Sequence, residues 1–593
     1  MRIIGGRCVA YFDGMKQNDI ITLQIRDVGM CGEGIASYED YTVFVPFALP
    51  DERVEVKVDY VKRNLAYATL RRVLAPSASR VAVPCGKYGR CGGCDLMHAD
   101  YGLQLEIKRK IVATALQKAK VDATVLPTVA SPKRLGYRNK IALPFGMAEG
   151  RITVGFYREG THQVVGIRQC VLHEAWAAAL IEVTLRWAEQ YRLQVYDSAT
   201  GKGLLRHLVA RHLGNHTDVT MVINADNLPF WRQYAAALGE VLPEYSLYIS
   251  TNTRRNNVIM GDRVRLVAGE PYSHTIEGVS VEVNPLSFLQ VNDDVCAAIY
   301  RRVREVIEPR AGKIVVDAFA GIGTLGATLA KDGADVYNIE IVPEAIEDAD
   351  RLYRKNGLAG HNLCGDSAVL LPEVLRKVGQ KAPAVHEMHL RRPYFEAMCA
   401  GHKRYELRLA DEKRSRIALG DLIRFDCEGE ALYCRVTSTA VFPDFAALFA
   451  AIGTADTVDS ACTALPAAAS MDEFYTSEMI ERYGAMAIGV EPINIVGIYV
   501  VLDPPRKGCP EAVVQSLVSL GKEPSADFVK QNAAWPVVTM PYVQQVVYIS
   551  CNPATLARDL AILQSVYRVA SVQPYDMFPQ TRHVETLCLL RKQ

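Results

Sequence analysis

No stretch of this sequence is long and apolar enough to read as a membrane span. The best candidate, IVVDAFAGIGTLGATLA, falls short of the roughly 18 residues required and is broken by Asp317 and three glycines. The opening MRIIGGRCVAYFDG lacks the apolar core of a secretory signal. Charge of one sign is missing too. Lys and Arg number 67 against 66 Asp and Glu, so any contact with nucleic acid must be a local patch rather than a bulk field. Cysteine is thin, 15 in 593 residues, which excludes a disulfide-stapled scaffold. What remains is a cytoplasmic globular protein with no membrane contact and no protein partner implied. It is too long for one hydrophobic core and is expected to divide into several domains.

Residues 15–75 read as a small β domain. RVEVKVDYV alternates, with Val54, Val56, Val58 and Tyr60 on one face, and YTVFVPFALPDE gives another strand closed by a Pro-Asp turn. Several short strands in so few residues suggest a barrel. Residues 76–275 form a central block. From 276 the rhythm becomes βαβ, through KIVVDAFAG, GTLGATLAKDG, ADVYNIEIV and PEAIEDADRLYRKNG, the pattern of a doubly wound α/β sheet. The stretch between Asp366 and Asp503 is several times the some 30 residues of a strand-helix-strand unit. Residues 383–494 are therefore read as an inserted domain, with strands KRYELRL, GDLIRF and ALYCRVTS and an Ala/Thr/Ser-rich loop, GTADTVDSACTALPAAAS. The insert divides the α/β domain into 276–382 and 495–593.

In VVDAFAGIGTLG a strand ends at Asp317 and a turn through Gly321, Gly323 and Thr324 opens a helix, while Glu340 closes the next strand. In such sheets the first turn lets backbone approach a ligand, and the acid at the second strand end holds ribose hydroxyls. The third glycine of the dinucleotide fingerprint is read as missing, which argues against NAD, and no Walker lysine follows the loop, which argues against ATP. S-adenosylmethionine is the remaining nucleotide-like candidate.

VVLDPPRKG puts Asp503 at the end of another apolar strand, and VVYISCNP does the same for Cys551, with Asn552-Pro553 breaking the strand behind it. A strand-end thiol can simply be core packing. At the ligand-binding edge of a sheet it can be a nucleophile, and the site is then expected to lower its pKa. A methyl donor and a thiolate together suit methylation of carbon-5 of uracil. The thiolate adds to carbon-6, carbon-5 attacks the methyl sulfonium, and a base removes the carbon-5 proton so that the thiolate can leave. Glu585, in MFPQTRHVETLCLL, is the late candidate for that base.

CGKYGRCGGCDLMH spaces Cys85, Cys91 and Cys94 as C-x5-C-x2-C, and Cys170 in GIRQCVLH offers a distant fourth ligand. Spacing alone allows zinc, an iron–sulfur cluster or no metal. Two basic stretches with interleaved aromatic or apolar residues, KRLGYRNK from Lys133 and LLRHLVARH from Leu204, read either as RNA contacts or as solvated strand faces.

The motifs FLQVN, DAFAGIG, VLDPPRKG, YISCNPATLARDL and MFPQTRHVE occur in the order seen in the RNA 5-methyluridine (uracil-5) methyltransferases, and the chain resembles that family outside the insert. The resemblance implies a Rossmann-like S-adenosylmethionine-dependent methyltransferase domain. It implies Cys551 as nucleophile and Glu585 as base, and Gln290, Phe319, Glu340, Asp503 and Asp366 around the cofactor. Ala320 stands where a cysteine is common, and Gln580 where some members have His. The resemblance further implies an N-terminal TRAM domain of the oligonucleotide-binding barrel type at 15–75. It also implies a 4Fe-4S cluster on Cys85, Cys91, Cys94 and Cys170 in a central α+β domain, the pattern of the branch that modifies 23S ribosomal RNA. The insert resembles the PUA-related ASCH barrel through Gly401, Lys403, Glu406 and Arg408, implying an added RNA contact. The alternatives are a transfer RNA T-loop methyltransferase and a non-catalytic RNA-binding protein.

Overall fold

The computed structural model describes residues 2–4, 7–9, 15–261, 263–310, 313–379, 385–428, 430–453, 468–519 and 537–593. Most of the Ala/Thr/Ser-rich loop of the insert, 454–467, lies outside the described residues. None of the helices described is long and apolar enough to cross a membrane.

Five strands, Ile20–Val28, Gly34–Tyr38, Tyr41–Val45, Leu65–Ala75 and Arg53–Lys62, close into the expected small barrel. Val54, Val56 and Val58 point into its core as the alternation predicts. Tyr60 does not and is 54% exposed, because the pairing with Leu65–Ala75 slips between Val58 and Tyr60 and turns the following residue outward. The central block is α+β. A seven-stranded sheet, from Val164–Gly166 at one edge to Arg263–Ala268 at the other, packs helices Ala175–Gln190 and Trp231–Gly239 on an apolar face. The insert is a five-stranded, barrel-like sheet whose strands include all three predicted there, Tyr405–Leu409, Leu422–Cys427 and Glu430–Phe442.

The α/β domain carries strands β1 (Ile314–Asp317), β2 (Asp335–Glu340), β3 (His361–Cys364), β4 (Asn494–Leu502), β5 (Val537–Ser550), β6 (Tyr567–Tyr575) and β7 (Glu585–Lys592). Their order in the sheet is 3-2-1-4-5-7-6. β1 to β5 run parallel, and β7 lies antiparallel between β5 and β6. β4 is the central strand even though the insert precedes it. Its neighbours are buried on both faces, hence the near-continuous apolar runs IVV and VVYI. The direction of β7 has a functional consequence. Ser550 pairs with Thr586, so the start of β7 sits at the same edge as the carboxyl ends of the parallel strands.

The helix Tyr101–Lys118 belongs to the central block yet packs on the α/β core through Val112, Ala115 and Leu116. The fully buried Lys108 amine binds the Asp576 carboxylate and the Phe578 carbonyl (2.9 Å), and the Tyr101 hydroxyl donates to the other Asp576 oxygen (2.8 Å). A buried pair contributes little net stability but is costly to break, because one charge is then stranded. Lys108→Ala should destabilise the fold by about 3–5 kcal/mol, read as an earlier thermal transition, and Lys108→Met with Asp576→Leu should recover most of the loss.

Candidate active site

Four acids and one thiol stand where strands end. Asp317 closes β1, Glu340 closes β2, Asp503 follows β4, Cys551 follows β5, and Glu585 opens β7. The turn after β1 takes the left-handed backbone at Gly321 (φ 55°) and Gly323 (φ 75°) before helix Thr324–Lys331. The Glu340 carboxylate accepts from Gly321 N (3.0 Å) and Val342 N (3.0 Å), fixing turn and strand end together while its remaining lone pairs stay available. The turn also carries a third glycine, passed over in the two-glycine reading. Gly326 completes Gly-x-Gly-x-x-Gly, and a Cβ there would come within 2.1 Å of Asn338 Oδ1, so this glycine lets the helix lie against β2. With all three glycines present, the turn does not separate a dinucleotide from S-adenosylmethionine.

The residues suit a nucleoside bearing a cationic tail. Thr324 Oγ1 is buried without a hydrogen-bond partner, at the head of the helix that faces the turn. Beside Glu340 the apolar side chains of Ile341 and Val342 are exposed. Burial, followed by Asp503, pushes the Asp317 carboxyl up to about 7, and burial also pushes Asp503 to about 7. The Gln290 carbonyl accepts from Asn139 Nδ2 (3.0 Å). Phe319 packs half-buried on the core beneath the turn. Asp366 is exposed at the head of helix Ser367–Gly379, with Oδ1 accepting from Ala368 N (2.9 Å).

Cys551 is half-buried and electrostatically coupled to Glu585, Asp503 and Arg506. The sequence reading expects a depressed thiol. The structure gives the reverse: burial, then the Glu585 carboxylate, push the thiol up, while Arg506 opposes them through charge and a hydrogen bond. Burial and Asp503 likewise hold the Glu585 carboxyl well above its ordinary value, again opposed by Arg506. Arg506 is the residue that sequence reasoning missed. It stands inside the quoted VLDPPRKG, but only tertiary proximity to Cys551 reveals its role.

The rim is braced by the rest of its motifs. Asn552 caps helix Pro553–Leu563, with Oδ1 accepting from Ala554 N (3.1 Å) and Pro553 at the first helical position. Asn552 Nδ2 donates to Arg506 O (2.8 Å). Two turns further on, buried Asp559 accepts from the Tyr548 hydroxyl (2.6 Å) and Cys509 N (3.0 Å), and Arg558 reaches the carbonyl of Cys509 (3.2 Å). The ARD of SCNPATLARD thus ties the helix behind Cys551 to the loop behind Asp503.

The chain is similar to known proteins along its length. The tRNA (Uracil-5-)-methyltransferase family profile matches residues 537–593, which hold Cys551 and Glu585. TRAM and ASCH domain profiles match 15–70 and 388–494. The chain is 28% identical over 583 residues to an uncharacterized RNA methyltransferase of Halalkalibacterium halodurans, covering 97% of this chain and 98% of that protein. The chain is thus similar over nearly its whole length to RNA methyltransferases, and its C-terminal stretch 537–593 matches the uracil-5 family profile. An uncharacterized RNA methyltransferase of Listeria monocytogenes is 27% identical over 581 residues, covering 97% of this chain and 98% of its own length. Among solved structures, the Pyrococcus abyssi tRNA (uracil-54, C5)-methyltransferase in complex with S-adenosyl-L-homocysteine aligns with a TM-score of 0.58 at 23% identity, covering 96% of this chain and 99% of that one. That likeness is one of fold.

In the central block, Cys85, Cys94 and Cys170 pack around Met97, Tyr137 and Leu172. Burial pushes the Cys91, Cys94 and Cys170 thiols up; neighbouring thiols add to this, and the Arg138 guanidinium opposes it. The four are gathered. Among the described residues, however, no three His, Cys, Asp or Glu side chains are set to hold a metal ion.

The two basic stretches part company. Lys133 and Arg134 are exposed, but Arg206 and Arg211 are only 6% and 5% exposed. Arg206 Nη1 donates to the carbonyls of Asn252 and Arg254 (both 2.8 Å), and Arg211 Nη2 to that of Ser287 (3.0 Å). The reading of LLRHLVARH as an RNA contact or a solvated face is thereby corrected for both arginines, which brace the interior.

In the insert, Lys403 and Glu406 are buried and engage each other (3.3 Å), while Arg408 binds Glu406 (2.7 Å). Gly401 (φ 74°) follows helix Arg392–Cys399.

Proposed function

We propose that this protein methylates carbon-5 of a uridine in RNA, using S-adenosylmethionine, through a covalent adduct on Cys551. The observation that carries the reading is the meeting of the Cys551 thiol, Glu585, Asp503 and Arg506 at the strand ends that also present the glycine turn and Glu340. S-adenosylmethionine supplies an electrophilic methyl group when bound. Glu340 and the turn through Gly321, Gly323 and Thr324 hold its nucleoside, with Gln290, Phe319 and Asp366 nearby and Asp503 toward its charge. The target base must leave its stack to reach the thiol. Arg506 stabilises the thiolate as it forms, and Glu585 accepts the carbon-5 proton.

Because burial pushes the Asp317 and Asp503 carboxyls up, both hold their protons more tightly than ordinary carboxyls. A cation beside them favours the ionised form, so protons leave on binding. Calorimetry in buffers of different ionisation enthalpy should find proton release with S-adenosylmethionine at pH 7. Release should be smaller with S-adenosylhomocysteine, which lacks the sulfonium charge, and should fade by about pH 9, where both acids are already ionised. Equal proton release for the two ligands at pH 7 counts against this placement.

The substrate proposed is 23S ribosomal RNA, methylated in the cytoplasm. Support comes from the cysteine motif and the barrel, which in the resembling family mark that branch. On this reading Cys85, Cys91, Cys94 and Cys170 are the thiolate donors of a 4Fe-4S cluster, and no step of methyl transfer passes through it. The Pyrococcus neighbour, named for a transfer RNA uridine, favours the second reading, a transfer RNA enzyme. An anaerobic assay with labelled S-adenosylmethionine, offering unmodified 23S and transfer RNA separately, decides. Label in carbon-5 of ribosomal uridine supports the first reading, label only in transfer RNA the second, and tight RNA binding without label neither.

A further inference from the structure

The loop that leads into Glu585 is held from outside its own domain. Gln580 sits in the left-handed region (φ 73°), a conformation that a residue other than glycine keeps only when its surroundings enforce it. The enforcement comes from the central block. Gln580 N donates to Gln104 Oε1 (3.0 Å) and Gln104 Nε2 returns to Gln580 Oε1 (3.1 Å), while the Gln580 carbonyl accepts from Asp95 N (3.2 Å) and Leu96 N (3.0 Å). The Tyr137 hydroxyl donates to Pro579 O (3.2 Å). Two residues on, Arg582 Nη1 reaches Asp95 Oδ1 (3.2 Å) and Arg582 N donates to Asp95 Oδ2 (3.3 Å). Asp95 directly follows Cys94 in the chain. The barrel closes over the same spot: a Cβ on Gly32 would lie 3.1 Å from Leu96 and 3.6 Å from Arg582. Three parts of the chain therefore meet three residues before Glu585.

We infer that Asp95 and Arg582 are positioning residues for the base. Their clamp aims Glu585 at the carbon-5 proton, and they touch neither substrate nor cofactor. The inference rests on the function proposed above. The step it governs is the last one: Glu585 takes the carbon-5 proton, the C–H electron pair forms the C5–C6 double bond, and the C6–S bond breaks with its electrons returning to Cys551 as thiolate. Methyl transfer precedes this step and does not use Glu585 as a base. A loosened clamp should therefore separate two events that general damage would lower together.

The test is a single-turnover experiment with labelled S-adenosylmethionine and the RNA that the native protein methylates. It follows label first in a denaturant-stable protein–RNA adduct and then in free RNA, for Asp95→Asn, Arg582→Ala and the swapped pair Asp95→Arg with Arg582→Asp. A misplacement of the base by a fraction of an ångström to an ångström is worth about tenfold to a hundredfold. The expected result is adduct formation close to the native rate, release slowed by that factor, accumulated adduct in both single variants, and recovery in the swapped pair. Arg582 lies outside the cysteine segment, so a shared phenotype excludes simple damage to that segment. Release at the native rate in both variants overturns the inference. So does parallel loss of adduct formation and release while S-adenosylmethionine binding persists. Native protein that transfers no methyl group overturns the functional reading itself and the inference with it.

Discussion

Cys551→Ala is expected to reduce methyl transfer by on the order of 10⁴-fold or more, below detection in most assays, with S-adenosylmethionine binding unchanged. The expectation is this large because carbon-5 of uracil is not nucleophilic until a thiolate adds to carbon-6, and no group nearby can substitute. Cys509 and Cys588 are buried in the core. The adduct band on a denaturing gel should vanish together with the activity. Because burial and Glu585 hold the thiol up, the reactive thiolate gains with pH, so the rate of adduct formation in the native protein should rise from pH 6 toward 9. A variant that still methylates at a tenth of the native rate would exclude Cys551 as the nucleophile.

Glu585→Gln should do something different: transfer one methyl group and then stop. Release of product should fall by about 10²–10⁴-fold, the range for losing a positioned base, while the methylated adduct persists through denaturation. The sign of the pH effect follows from burial. The Glu585 carboxyl is held well above its ordinary value, and only its ionised form can accept the proton, so release in the native protein should quicken as pH rises. That dependence on the base should be absent in the glutamine variant, whose amide does not titrate. Turnover by Glu585→Gln at the native rate would assign the base elsewhere.

Much of this site was legible because strand-end chemistry leaves a linear trace. An apolar run followed by Asp503, Cys551 or the glycine turn needs only the geometry of a parallel sheet to be placed on one edge. The barrel was legible for the same reason, since the alternation over Val54, Val56 and Val58 is set locally. Tyr60 was not, because a bulge depends on the partner strand. Arg206 and Arg211 look like a solvated basic face until the sheet buries them. Their pairing to carbonyls of the Asn252–Arg254 loop and of Ser287 has no signature in sequence. Sequence puts Cys551 just past a strand end, but the direction in which its thiol titrates is a sum over burial, Glu585, Arg506 and Asp503, which meet only in three dimensions. The clamp on Gln580 and Arg582 joins residues that are hundreds of positions apart.

The position of β4 bears on how the chain is made. β1, β2 and β3 emerge from the ribosome in sequence and can pair at once, but β4, which must lie beside β1, follows only after the whole insert. At ordinary synthesis rates that delay is on the order of ten seconds, long enough for the insert to fold around its own apolar cluster while the edge of β1 waits. β5 can join the parallel run only beside β4, and β7, although it also pairs with β6, reaches that run only through β5. The thiol and the base are therefore the last parts of the rim to be set in place. A nascent chain can complete the glycine turn, and with it much of the cofactor seat, well before it is able to attack a nucleic acid.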